Sequence, residues 1–309
     1  MIEQRKLVKL GKSTLVISLP AEWVRKKGLK AGDTLTLYID ENEITIIPST
    51  LGSSHKITAT IRVKRIEDEV LYRMIVSAYI AGAQDITIEL EDTSLMKEVL
   101  KQVKNATSHL IGLEMVDQSL NKVVLQAFTD VHAQSLESLI NRILKLMILM
   151  LDHLKEEKID LSYLNDLENE IDKLYRLTMR RANLTHEFSR YSLTFLPSFL
   201  LMLETVSDSI IPLANALEGN YKQVADVIEI TKETLKFLVT YRIGQGNVME
   251  INKRIEAFEQ LEGEIFQRDL PQTLRYRCLN FIHLLKNALL VVFNMEVAEL
   301  IKKSKVIVL

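Results

Sequence analysis

The most constraining feature of this sequence is the pattern of its second half, where apolar residues recur at spacings of three and four from residue 130 onward. This period places them on one face of an α-helix. Only the last five residues, KVIVL, read as a strand. The run divides into six predicted helices, with breaks near Lys158, Ser189, Gly219, Gly244 and Pro271. The second three helices repeat the first three in length and order, so we predict a duplicated three-helix unit, with repeats over about 130–219 and 220–305.

Residues 57–129 alternate between strand and helix patterns, which predicts a small α/β domain. Gly82 and Gly112 follow its helical segments, where glycine commonly ends a helix. The preceding residues 51–56, LGSSHK, read as a linker, so the middle segment spans 51–129. Its role is open between binding a small effector and spacing the flanking parts. The lack of a Gly-rich phosphate loop in the sequence favours the spacer.

Residues 1–50 have the pattern of two β-hairpins flanking a short helix. Pro20 suits the first turn of that helix, and Gly28 suits its end. Four short strands and one helical turn cannot bury both faces of a sheet within one chain. We therefore predict that this N-terminal head forms an intertwined homodimer.

Basic residues are concentrated in the head. Between residues 5 and 30, eight lysines and arginines stand against one acid, Glu22, although the whole chain has a net charge of only -2. A dimer doubles this density and can neutralise several phosphates of a nucleic acid. The alternative is a solvated, lysine-rich surface.

The segment 5–48 resembles the AbrB/SpoVT/MazE swapped-hairpin family. The shared elements are a basic first strand, Gly11, SLP at 18–20 and GLKAGD at 28–33. Members of that family bind DNA as dimers through basic residues of the first hairpin, and some use the fold only to dimerise. Both roles stay open here. The residues that the resemblance implies as DNA contacts are Arg5, Lys6, Lys9 and Lys12.

Two carboxylate pairs with a spacing of four occur in the helical half, Glu168 with Asp172 and Glu204 with Asp208. This spacing places each pair on one helical face, and antiparallel neighbouring helices can bring the two pairs together. Such an oxygen cluster suits iron, manganese, magnesium or zinc. The alternative is two solvated acidic faces. The apolar flanks of Glu204 favour the cluster, because a charge among apolar residues needs a partner.

The helical half, 130–309, resembles the PhoU family, whose tandem three-helix bundles carry E/D-xxx-D motifs that hold multinuclear iron or zinc. ENEID at 168–172 and ETVSD at 204–208 match the motif. In the second repeat, NKRIE and HLLKN take the corresponding places and keep one acid, Glu256. This second site is either lost or tuned to a softer metal through His283. A lone histidine among apolar residues is commonly part of a core, which favours the lost site.

Composition and motifs limit the remaining possibilities. Cys278 is the only cysteine, so there is no internal disulfide, and no signal peptide is evident. The most apolar stretches, 143–151 and 193–203, are shorter than the ~20 residues that span a membrane, so we expect a soluble, cytosolic protein. The sequence has no E-x-x-H, P-loop, H-E-x-x-H or G-x-S-x-G motif, so an enzyme is not expected.

The whole chain resembles the archaeal type of phosphate uptake regulator. The expected fold is mainly α, with a β-rich swapped-hairpin head, a small α/β domain and a six-helix tandem bundle. The resemblance implies a cytoplasmic homodimer that docks on the ATPase of a phosphate ABC transporter at the membrane and controls a promoter through its head. Two other classes stay open: an adaptor whose head only dimerises and which regulates the phosphate ABC transporter by protein contact without binding DNA, and a metal-dependent enzyme.

Overall fold

The computed structural model describes residues 2–39, 44–48, 57–128, 134–184, 190–217 and 219–302, with side chains in all but 190–193 and 302. The predicted linker at 51–56, the predicted break at Ser189 and the predicted C-terminal strand lie outside these residues. The chain forms two compact units, Met1–Lys56 and Ile57–Leu309. The described residues are mostly helical, with a small β region at the N-terminus.

The first unit contains the two predicted hairpins and the helix between them. Strands β1 (Val8–Leu10) and β2 (Thr14–Val16) pair in antiparallel fashion. Gly11 turns the chain between them with a φ of +70°, which a glycine adopts without strain. Helix α1 (Ala21–Lys26) follows, and strands β3 (Leu35–Ile39) and β4 (Ile44–Pro48) form the second antiparallel pair.

This unit has almost no core of its own. Pro48 is the only buried residue among those described in it. Large apolar side chains on both hairpins stay exposed instead, including Leu10 at 62%, Leu15 at 60% and Ile39 at 74%. Large exposed apolar surfaces are uncommon on monomeric proteins, so these side chains give the head apolar faces that the predicted dimer would cover.

The second unit begins with a four-stranded sheet in the order β5-β6-β8-β7. Strands β5 and β6 are parallel, and the other two neighbouring pairs are antiparallel. Alternate residues of β6 are buried, and the inner face of the sheet packs with α2 and α3 in one core. The elements, in chain order, are β5 (Thr58–Val63), α2 (Val70–Ile80), β6 (Asp85–Leu90), α3 (Met96–His109), β7 (Leu113–Gln118) and β8 (Lys122–Ala127).

Six long helices complete this unit, as the apolar period predicts. Among residues 134–302 that the structure describes, no strand is present. The helices are α4 (Leu136–His153), α5 (Leu161–Leu184), α6 (Arg190–Leu217), α7 (Ala225–Thr240), α8 (Val248–Gln267) and α9 (Gln272–Lys302).

A single apolar core runs through all six helices. Helix α6 packs extensively on α9, and α4 packs on α5 and α7. Helix α7 contacts α4 far more than it contacts α9. The second three helices are therefore joined to the first three by shared packing, and the division into two PhoU-like bundles stays a prediction.

Helix α6 is the most apolar of the six. Its residues Thr194–Leu217 are long and apolar enough to cross a membrane by length and composition. Buried core helices of globular units pass the same test, and nearly half of this segment is buried against its neighbours. The segment also carries Glu204 and Asp208, which lie at the site described below.

The C-terminal end of α5 joins the bundle to the α/β layer. Arg180 is 2% exposed, and its Nη1 donates hydrogen bonds to the carbonyl oxygens of Tyr79 at 2.6 Å and Ala83 at 2.9 Å. Asn183 Nδ2 donates to the carbonyl oxygen of Ile80 at 2.9 Å. These bonds supply donors to the carbonyls of Ile80 and Ala83, at and just after the end of α2, and a second donor to the carbonyl of Tyr79, which also accepts from the backbone N–H of Gly82. Helix α5 is thereby fixed against the sheet layer.

Candidate functional site

Carboxylates of α5 and α6 meet at the surface between these two helices. Single oxygens of Glu168, Asp172 and Asp208 lie within 4.8 Å of one another. The carboxyl of Glu168 shares a hydrogen bond with that of Asp208. The carboxyl of Glu204 is close enough to Asp208 and Asp172 for their charges to repel its own. The four predicted residues therefore come together, three within reach of one ion and Glu204 beside them. The pairing runs in opposite directions along α5 and α6, so the helices are antiparallel here.

The local sequence explains why these carboxylates are only partly covered. On α5, Ile171 and Leu174 are buried in the core, so Glu168 and Asp172 lie at the edge of this apolar stripe. On α6, Val206 and Ile210 are buried in the same way, which places Glu204 at the opposite edge. The helical period thus sets the four acids along the seam between two packed helices.

Crowding raises the proton affinity of this cluster. Burial first, then the charges of Asp172 and Asp208, raises the pKa of Glu168 from 4.5 to about 7. Burial and then the charges of Asp208 and Asp172 raise the pKa of Glu204 from 4.5 to about 7. The pKa of Asp208 is raised as well, by burial and by the charge of Asp172. A cation bound here would displace protons, so its affinity depends on pH.

Arg176 also belongs to this site, although it lies outside the E/D-xxx-D motif. Its Nη2 donates to Asp172 Oδ2 at 2.5 Å, and the two side chains are only 15% and 17% exposed. Its positive charge opposes the rise in pKa of Glu168, Glu204 and Asp208. The signal was available in the sequence, because Arg176 follows Asp172 by four residues, the spacing of a helical ion pair.

The donor set fits a hard divalent cation. Two oxygens that bind one ion at ~2.0–2.6 Å can lie up to ~5 Å apart, which accommodates the separation of at most 4.8 Å among the three carboxylates. All-oxygen sites favour manganese, magnesium or calcium over soft metals. The arrangement can therefore hold an ion with water completing its shell, and Asp172 can join it only by sharing or leaving its bond to Arg176.

The corresponding positions of the second repeat do not form such a group. Glu256 is exposed and accepts a hydrogen bond from Asn252 Nδ2 at 2.8 Å. His283 is exposed on α9, so the expectation that it is a core residue is wrong: the third residue of FIHLLK points away from the apolar face. Across the described ranges, the α5–α6 carboxylates are the only group of three or more acids, histidines or cysteines close enough to hold an ion.

The basic residues predicted to contact DNA are all exposed in the first unit. Lys9 lies on β1 opposite Leu15, and Lys12 lies in the turn of the first hairpin. Arg5 forms an ion pair with Glu3, an acid that precedes the segment 5–48 on which the family resemblance rests. Lys9 and Lys12 therefore form the accessible cationic end of the hairpin, whereas part of the charge of Arg5 is neutralised within the chain.

Comparison with known proteins supports the reading of the head. Residues 8–52 match the family model described as antidote-toxin recognition MazE, bacterial antitoxin. MazE/AbrB-like domains typically dimerise and bind DNA. No curated protein and no solved structure matches the chain. The match covers Lys9 and Lys12 but neither Arg5 nor Lys6, and the PhoU resemblance of residues 130–309 stays a prediction.

Proposed function

We propose that this chain is a transcription regulator that couples phosphate supply to promoter binding. In this proposal, two copies join through their heads and bind DNA with Lys9 and Lys12, and the helical half reports phosphate supply from the ATPase of a phosphate ABC transporter. The observation that carries the DNA part is the exposed basic hairpin inside the MazE-like segment 8–52. The transporter part depends on the PhoU resemblance alone, and it places the protein in the cytoplasm, at the membrane when docked.

The helical half contributes the carboxylate cluster. Glu168, Asp172 and Asp208 would hold a manganese, iron or zinc ion, with Glu204 beside it. The all-oxygen donors favour manganese among these three. The ion would neutralise the repulsion among the four acids and would fix α5 against α6. Because α5 is also bonded to the end of α2 through Arg180, a shift of α5 on ion binding would be transmitted to the α/β layer.

The DNA part is tested by fluorescence anisotropy of the full chain with a duplex carrying the promoter of phosphate transport genes. The logarithm of the binding constant should fall linearly with the logarithm of the salt concentration, with a slope of about -0.9 for each phosphate contact. Replacing Lys9 and Lys12 together with alanine should lower the affinity and make this slope shallower. The matched control replaces Lys97 and Lys104, two exposed lysines of α3, and should bind as the wild type does. Equal binding by the Lys9 and Lys12 variant contradicts DNA contact.

The phosphate part is tested by crosslinking the protein to DNA across the genome at high and low phosphate. Promoter occupancy should change with phosphate. Equal occupancy under both conditions contradicts phosphate control even if DNA binding stands.

The second candidate is an adaptor whose head only dimerises. The exposed apolar faces of β1–β4 favour it, because they account for dimerisation without any nucleic acid. It predicts a dimeric full chain whose contact with DNA is absent or independent of salt.

A further inference from the structure

Helix α5 carries a stripe of four charged residues at a spacing of four. Two acids, Glu168 and Asp172, are followed by two arginines, Arg176 and Arg180. Residues at this spacing lie one turn apart on the same face of a helix. The stripe therefore leads from the carboxylate cluster to the bonds with α2, and Arg176 lies where the acids end.

We propose that Arg176 is the built-in counter-cation of the carboxylate cluster, and that a divalent ion competes with Arg176 for Asp172. This inference rests on the ion site of the proposed function and adds the residue that controls it. It predicts that the cluster is stable without metal and that the chain binds metal less tightly than its acids alone would.

The contacts of Arg176 show a guanidinium held by charge. Its bond to Asp172 Oδ2 is 2.5 Å long and is mostly shielded from water, where an ion pair is stronger than at a free surface. Its field also reaches Glu168, Glu204 and Asp208. One positive charge thus offsets the repulsion among four acids, and it lies next to the oxygens that would bind the ion.

The same contacts show that Arg176 can be replaced. Its Nη1 is buried and has no hydrogen-bond partner among the described residues. A buried donor without a partner is energetically unfavourable, so the guanidinium is incompletely satisfied in this position. Arg180, one turn later, also has a buried Nε without a described partner, but its Nη1 bonds two carbonyl oxygens of the α/β layer. Arg180 is therefore committed elsewhere, and Arg176 is the residue that an incoming ion would displace.

A second arginine provides a matched control. Arg254 on α8 bonds Glu250 at 2.9 Å with the same spacing of four, and its side chain is 23% exposed. Its Nε is also buried without a described partner. It lies outside the described group of acids that could hold an ion. The two arginines share this ion-pair geometry. Arg254 differs in having no described carboxylate cluster around it and in lying 4.4 Å from the centroid of the Phe237 ring.

The test measures binding of Mn²⁺ alone to the full chain by isothermal titration calorimetry. Arg176→Met should bind Mn²⁺ about tenfold or more tightly than the wild type, the effect that one neighbouring charge commonly has on a proton equilibrium. Arg176→Lys keeps the charge but replaces the planar guanidinium with a compact ammonium on a more flexible stem, and its affinity should lie between the two. Arg254→Met should bind as the wild type does.

Thermal unfolding provides a second readout. Without Mn²⁺, Arg176→Met should unfold at a lower temperature than the wild type, because four acids lose their counter-cation. Saturating Mn²⁺ should remove most of that difference. Arg254→Met should show the same loss with and without Mn²⁺. If Arg176→Met does not fold without the ion, folding on addition of Mn²⁺ supports the proposal. If Arg176→Met does not fold even with Mn²⁺, Arg176→Lys becomes the test, and the proposal requires that it bind Mn²⁺ more tightly than the wild type.

The outcomes separate this inference from the ion site itself. If the wild type binds Mn²⁺ and neither Arg176 variant binds it more tightly, Arg176 does not compete and only this inference is overturned. If the wild type and both Arg176 variants fail to bind Mn²⁺, the ion site of the proposed function and this inference fail together.

Discussion

The guanidinium carbon of Arg180 lies 4.7 Å from the centroid of the Tyr79 ring, and Nη1 of the same side chain donates to the Tyr79 carbonyl oxygen at 2.6 Å. One arginine of the bundle thus contacts both the ring and the backbone of a buried residue of the α/β layer. Its burial lowers the pKa of Arg180, but the group stays charged near neutral pH. Together with the bond from Asn183 to the Ile80 carbonyl, this relationship joins the bundle to the α/β layer.

Replacing Arg180 with methionine should lower the free energy of unfolding by about 2–4 kcal/mol. The variant removes the donor that Arg180 supplies to the Ala83 carbonyl, one of the two donors to the Tyr79 carbonyl, and a cation–π contact. Urea unfolding followed by circular dichroism measures the change. Arg277→Met is the control, because Arg277 lies 5.6 Å from the ring of the exposed Tyr276, and it should change stability by less than about 0.5 kcal/mol.

Glu296 is a second buried charge whose removal should be costly. It is 0% exposed and accepts hydrogen bonds from the hydroxyl of Tyr241 and from backbone N–H groups that include Gly244 at 2.6 Å. Glu296→Ala leaves these donors unpaired, and we expect a loss of about 3 kcal/mol in urea unfolding. Glu233→Ala on α7, which removes an exposed acid, should be nearly neutral. Equal stability of both variants would show that the loop 241–247 does not depend on Glu296.

Without metal, the second unit should lose stability as pH rises from about 5 to 7. Glu168 and Glu204 each have a folded pKa raised from 4.5 to about 7. In this window the unfolded chain has released protons that the folded chain retains, so unfolding becomes more favourable as pH rises. Below pH 4.5 the contribution of both groups is fully present. Urea midpoints measured across this range with a chelator present give the slope.

Replacing both glutamates with glutamine should flatten that pH dependence. Glutamine cannot ionise, so the variant has no proton to lose at these positions between pH 5 and 7. Glu256→Gln, an exposed acid of α8, should leave the slope unchanged. A double variant with the wild-type slope would place the titrating groups elsewhere.

Ile39→Glu should shift the full chain from dimer to monomer. Ile39 is 74% exposed in the single chain, where a glutamate would be tolerated. If the apolar faces of the head meet a second copy, the variant buries a charge in that contact and weakens it. Light scattering after size-exclusion chromatography measures the mass. Leu120→Glu, which changes a leucine that is 85% exposed in the second unit, is the control and should stay dimeric. An unchanged mass for Ile39→Glu contradicts this use of the face.

The elements of the fold could be predicted because each depends on local pattern. The period of three and four indicated the six helices, and Gly82 and Gly112 marked helix ends that the structure confirms with positive φ. The predictions failed where a residue's surroundings come from another element. His283 was expected in the core from its apolar neighbours in sequence, yet the rotation of α9 against its neighbours turns it to solvent.

The sequence alone determined which residues share a helix face: Glu168 with Asp172, and Glu204 with Asp208, because the helical period is a local property. It also determined the basic hairpin of the head. Only the tertiary structure decided that the two pairs meet, that Arg176 lies among them and that Arg180 reaches the α/β layer. The physical reason is that period fixes the face of a helix but not its rotation and height against a neighbour. Those depend on how side chains of the whole core pack together, and no single segment encodes them.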